Sequence, residues 1–254
     1  MSKHHKDEPA DTLEELESVG ERLAQWVGAN PAIVLGIAGA ILLGAASFGG
    51  YQAYSRSQAD KASASLAKLH GEFVAAMGGK PSEAEIPEPA NPETAKAVRT
   101  AYADKYIALS GEWSGTPTAA LSLLEAGELI AKLGDPDRAL AVLLQASEQA
   151  PADSPIRAVI ASRIGSLQEE KGDFEAAAKS HEAAAAVPGF PLRTEALAQA
   201  ARCWAVAGKP DLALALYQRL RADSPDRKLA PHLEARLQEI EARSSASPAL
   251  DAKP

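Results

Sequence analysis

Cysteine is almost absent. Cys203 is the only one in 254 residues, so no disulfide can form within the chain. Its place in a helical run marks it as a small core side chain. A basic excess is missing too: 26 Lys and Arg stand against 34 Asp and Glu. The first 30 residues hold three bases (Lys3, Lys6, Arg22) and seven acids, which leaves 23 bases and 27 acids downstream. Neither part offers the basic face that nucleic acid requires, so nucleic acid is excluded as a partner.

Catalytic signatures are lacking as well. His4 and His5 sit in a polar tail, and His70, His181 and His232 are far apart, with no HExxH or other ligand spacing. Gly78-Gly79-Lys80 is followed by Pro81, not by the Ser or Thr of a phosphate-binding loop. No Gly-x-Ser-x-Gly elbow occurs. The acids scatter over helix faces, where solvation is their default role. The expectation is a protein that is not an enzyme, holds no cofactor or metal and has no small-molecule substrate.

Charge disappears altogether between Arg22 and Arg56. Within that gap, Pro31–Tyr51 is apolar and long enough to cross a hydrocarbon core of roughly 30 Å as a helix. Trp26 precedes it and Tyr51 and Tyr54 close it, where interfacial aromatics belong. A cleaved signal peptide has a basic flank and a shorter apolar run. Here the flank is acidic, so residues 31–54 are expected to be an uncleaved transmembrane helix. The flanking bases are balanced, Lys3, Lys6 and Arg22 against Arg56, Lys61 and Lys68, and do not orient it. Ala32, Gly36, Ala40 and Gly44 recur every fourth residue, a small-residue stripe that could admit another helix.

Helical periodicity fills the rest, and no segment alternates like a strand. In residues 1–30, Thr12 and Glu15 are spaced as a capping box, and Leu13, Leu16, Leu23 and Val27 share one face of an acidic amphipathic helix. That face docks on a protein surface or stays solvated. Ser55–Met77 reads as a helix, and the prolines of 80–92 break it. Pro92 restarts a helix that Gly111 is expected to end. Residues 55–115 thus hold post-membrane helices around a Pro-rich loop.

From Thr116 onward one pattern recurs three times, over 116–151, 152–190 and 191–225. Gly127, Gly165 and Ala201 lie in the first helix of each unit. Gly134-Asp135, Gly172-Asp173 and Gly208-Lys209-Pro210 make the turns, and Ala139, Ala177 and Ala213 follow in the second helix. A turn glycine adopts the left-handed conformation, and the small residues let the paired helices touch. Each hairpin leaves an apolar face that only the next can cover, so the units stack as a solenoid. Residues 229–243, with Leu233, Leu237 and Ile240, read as a capping helix, and 244–254 as a disordered tail. The fold class is all-α.

The pattern resembles the tetratricopeptide repeat, whose period is about 34 residues. In such an array the first helix of each hairpin lines the concave side. The resemblance places Leu124, Glu128, Ala131, Ser162, Ser166, Glu169, Ala198, Arg202 and Ala205 in that groove. Cytosolic chaperone-binding members carry a Lys/Asn/Arg clamp there. This chain has Leu124, Ser162 and Ala198 in one row and Glu128, Ser166 and Arg202 in another, so no clamp is present.

Tail, span, post-membrane helices and repeats together resemble the bacterial ancillary subunit of the SecYEG translocon, whose repeats are grouped with those of the Tol–Pal cell-division coordinator. The Pro-rich loop at 80–92 departs from that layout. The resemblance implies a single-pass protein of the bacterial inner membrane, with its N-terminus cytoplasmic and its repeats periplasmic. It implies as partners the translocon, periplasmic chaperones and exported chains, bound through the repeats. A structural adaptor in envelope assembly or division, and a cytosol-facing preprotein receptor of reversed topology, are the alternatives.

Overall fold

The computed structural model describes residues 20, 22, 25–80, 86–223 and 231–246. The side chains of 34, 37, 38, 41, 232, 233, 236, 237 and 243–246 are excepted. The expected tail helix at Thr12–Glu15, the capping positions Leu233 and Leu237 and the tail at 247–254 lie outside that description. Every described element is a helix. Nine carry labels: α1 (Pro31–Ala76), α2 (Pro92–Glu112), α3 (Pro117–Lys132), α4 (Pro136–Gln149), α5 (Pro155–Glu170), α6 (Phe174–Ala186), α7 (Arg193–Val206), α8 (Pro210–Asp223) and α9 (Pro231–Ala246).

Two compact units divide the chain, residues 1–58 and 59–254. In the first, Leu35, Leu42, Leu43, Phe48 and Tyr51 are each at least 65% exposed. Ala32, Gly36, Ala40 and Gly44 are exposed as well, and a Cβ at Gly36 or Gly44 would meet open space. Among the described residues no helix is long and apolar enough to cross a membrane. The expected span at Pro31–Tyr51 therefore gains no support there. Val34, Ile37, Ala38 and Ile41, which supply much of its apolar character, lie outside the described side chains.

The second unit is an array of helical hairpins. Sequence dictates the starts: Asn91, Thr116, Asp135, Ser154 and Asp173 each cap a helix by accepting a backbone N–H through the side chain. Proline opens α2 to α5, where its missing N–H costs nothing. The turns follow the expected chemistry, with φ of 83° at Gly134, 80° at Gly172 and 76° at Gly208. One expectation fails. Gly111 lies inside α2, which ends at Glu112, and the left-handed residue is Gly115.

Packing inside the hairpins uses the small residues as contact points. A Cβ on Gly127 would lie 2.7 Å from Leu143, and one on Gly165 would lie 2.8 Å from the His181 ring. Two apolar cores run along the array. Phe73, Tyr102, Tyr106, Ile130 and Leu143 belong to the first, and Leu197, Trp204, Tyr217, Leu220 and Ile240 to the second. Helix α5 serves both, sending Ile160, Ile164 and Leu167 to one and Ala158 and Ala161 to the other. Helix α9 packs on α7 and α8.

Residues 59–76 and α2 form a further hairpin ahead of the three repeats. Phe73 and Tyr102 meet with ring centroids 5.4 Å apart, and the fully buried Tyr106 places its hydroxyl 3.2 Å from His70 Nδ1. A ladder of ion pairs joins successive hairpins: Arg138 to Asp104, Lys171 to Asp137 and Lys209 to Glu175, each spanning 34 residues.

Candidate functional site

The first helices of the three repeats face a cavity of about 400 Å³. From α3 it takes Leu124, Glu125 and Glu128, and from α5 Val159, Ser162, Arg163 and Ser166. Glu195, Ala196 and Gln199 of α7, the preceding Leu192 and His181 of α6 complete the wall. A second cavity of about 390 Å³, lined by Leu66, His70, Thr118 and Leu121 among others, shares Glu125 with the first. Glu125 thus borders both cavities, and the first is an open trough.

Four of the groove residues expected from sequence line the cavity: Leu124, Glu128, Ser162 and Ser166. Ala198 is fully buried in the core instead, and Gln199 takes the wall position beside it. Ala131 and Ala205 pack against the two cores. Glu169 and Arg202 are half-buried and ion-paired with each other.

Sequence reading missed the row Glu125, Arg163 and Gln199, which are equivalent positions when counted back from the turn glycines. It also missed Val159 and Leu192, apolar yet 43% and 54% exposed. The available signal was the same register moved one residue round the helix.

Electrostatics differ along the trough. Glu128 pairs with Arg163 across α3 and α5. Burial raises the Glu125 carboxyl above its ordinary value; His70 opposes this, Glu128 adds to it and Lys132 opposes it. Deeper in, burial also pushes Glu169 up. Hydrogen bonds from His181, Arg202 and Cys203 and the Arg202 charge outweigh it and hold the group at about 2. Cys203 moves the other way, its thiol pushed up to about 12 by burial and then by its hydrogen bond to Glu169 and that group's charge. Ser166 Oγ donates to the Ser162 backbone carbonyl at 3.2 Å, one turn back along α5.

The sequence matches the family model described as tetratricopeptide repeat-like domain over residues 24–242. The chain belongs to that family. This tetratricopeptide repeat-like chain is also similar in structure to a Podosopora anserina protein named for kinesin light chain with nearly identical TPR-like repeats. The similarity has 14% identity, a TM-score of 0.43 and coverage of 59% of this chain and 90% of that one. A point variant of that protein gives 15% identity, a TM-score of 0.44 and the same coverages. No argument rests on similarities at that level. No curated protein sequence matches the chain. Repeats of this family suggest protein partners, and no enzyme family is matched. Fold alone names no ligand.

Proposed function

We propose that this chain is a membrane-anchored scaffold of the bacterial protein-export machinery that binds partner or client polypeptides in its concave trough. The observation that carries the reading is the trough wall itself. Val159, Leu192 and Leu124 offer apolar contact along about 400 Å³ of open space, flanked by Glu125, Glu128 and Glu195 against the single base Arg163. Such a surface suits an extended chain carrying apolar and basic side chains.

The anchor is supported by the charge-free interval from Arg22 to Arg56 and by the exposed side chains of Leu35, Leu42, Leu43 and Phe48. An uncovered apolar face of that length calls for a non-aqueous partner. The family match begins at residue 24 and so takes in this segment. In the proposed topology the N-terminus is cytoplasmic, the repeats are periplasmic, and the partners are the translocon, periplasmic chaperones and exported chains. The stripe Ala32, Gly36, Ala40 and Gly44 provides the contact with the translocon.

A photo-crosslinking residue placed at 159, with one at the exposed Leu144 of α4 as control, tests the trough. Cross-links to translocon subunits or exported chains from 159 and not from 144 are expected. Equal cross-linking from both, or recovery only of division or envelope-assembly proteins, would refute the export reading. Topology is read by labelling cysteines at positions 5 and 248 in Cys203→Ser protein. Labelling of position 5 from outside the cell contradicts the periplasmic assignment.

A further inference from the structure

The second and third repeats break the apolar rule of the array at the place where they meet. Counted from the turn glycines, His181 of α6 stands where Leu143 and Tyr217 stand in the flanking repeats. Glu169 of α5 is equivalent to Ala131 and Ala205, and Cys203 of α7 to Leu129 and Leu167. Three polar, metal-ligating side chains thus replace Leu, Tyr or Ala at three equivalent positions. The fold brings them together. His181 Nε2 lies 2.9 Å and Cys203 Sγ 3.1 Å from the same oxygen, Glu169 Oε1. All three atoms fall within 4.8 Å of one another.

We propose that Glu169, His181 and Cys203 form a binding site for one Zn²⁺ ion that ties α5, α6 and α7 together. The donor set of imidazole nitrogen, thiolate sulfur and carboxylate oxygen is the one Zn²⁺ takes. Around a tetrahedral ion with bonds of about 2.0–2.3 Å, ligand atoms lie roughly 3.3–3.7 Å apart. The two contacts on Glu169 Oε1 therefore lengthen by a few tenths of an ångström to admit the metal, with water as the fourth ligand. Binding expels the thiol proton to solvent and moves the imidazole proton from Nε2 to Nδ1, so the ring stays neutral.

The surroundings are organised for this role. Arg202 occupies the other carboxylate oxygen, Oε2, so Oε1 is left to His181 and Cys203. That outer pairing fixes the carboxylate's orientation, as groups behind metal ligands do. Gly165 lies against the His181 ring, where any Cβ would collide, so the ring has one seat. Among the described residues nothing engages the other ring nitrogen, Nδ1. Cys203 and His181 are buried, while Glu169 keeps partial exposure and gives the ion a way in. Zn²⁺, one thiolate and one carboxylate sum to zero; because Glu169 is already ionised, binding adds one positive charge to the site.

The test uses Co²⁺ as a spectroscopic stand-in, added to the detergent-solubilised full chain carrying H4A and H5A to silence the tail histidines. Because Cys203 is the only cysteine, a cobalt–thiolate charge-transfer band can arise from no other residue. The expected result is that band, saturating at one equivalent and displaced by Zn²⁺, with a Zn²⁺-dependent rise in Tm reversed by EDTA. The variants come from the sister repeats: H181Y, E169A and C203L, with C203S as the smaller change. C203L and C203S should abolish the band, and H181Y and E169A should weaken cobalt binding at least tenfold, all with native helical circular dichroism. Absence of the band in the parent chain, or a band unchanged in H181Y and E169A, overturns the proposal and leaves the cluster a hydrogen-bonded core contact.

Discussion

Glu169 shows what one side chain can contribute and when. Its folded-state carboxyl is held at about 2, against an ordinary value of 4.5. A depressed carboxylate stabilises the fold fully above its unfolded value and loses that contribution as pH falls through the folded one. The window is therefore about pH 4.5 down to about 2. With a chelator present, E169Q should remove roughly 1–2 kcal/mol of the acid-dependent loss, after allowance for solvent screening. Urea melts of both proteins across that window check the slope. An equal slope in E169Q would show that the acid limb arises elsewhere. At the same scale, Gly165→Ala forces a Cβ to 2.8 Å from the His181 ring. It should cost about 1–3 kcal/mol, as overpacking does.

These residue contacts were only partly legible in the sequence. The alternation of Gly165 with a larger partner could be read from the repeat, since Ala201 faces the same way in the third unit. That His181, Glu169 and Cys203 converge could not be read, because they belong to three helices and 34 residues separate Glu169 from Cys203. Only the equivalence of repeats points to them, once His181 is set beside Leu143 and Tyr217.

At the level of the element, the turns carry the information. Gly134, Gly172 and Gly208 all adopt positive φ, and Asp135 and Asp173 cap the helices that follow. Asp135→Ala should cost about 1 kcal/mol through the lost cap. Gly172→Ala, which forces a side chain onto a left-handed residue, should cost more than the 0.4–1 kcal/mol or so that Gly→Ala yields at compatible sites. Chemical denaturation resolves both, and an unchanged midpoint for either would mean the turn relaxes. Hairpins with this signature were legible. Both helices of the hairpin of residues 59–76 and α2 were legible, but their pairing was not, because the turn is long and proline-rich and lacks the Gly-Asp signature of the others. Gly111 misled for a related reason: a glycine marks a helix end only when its backbone turns left-handed, and here Gly115 does so.

Across the whole repeat array, the consequence is a trough whose walls repeat but whose chemistry does not. Glu125, Arg163 and Gln199 hold equivalent places on the wall, as do Glu128 and Ser166. An array of identical units would grip a repetitive ligand. This one presents a graded series, which suits a single extended polypeptide bound in one direction. The class of fold was legible from periodicity alone. The wall was legible only in part, since a one-residue rotation of α7 sends Ala198 inward and Gln199 outward, and spacing does not fix rotation.

The central claim, that polypeptide binds in the trough, has a direct measurement. Fluorescence anisotropy of labelled extended peptides is followed against the full chain in lipid nanodiscs, with V159D and L192D compared to the parent. Peptides with apolar and basic side chains should bind, acidic ones should not, and each substitution should weaken binding at least tenfold, about 1.4 kcal/mol or more. Binding that ignores peptide charge and survives both substitutions would contradict the account.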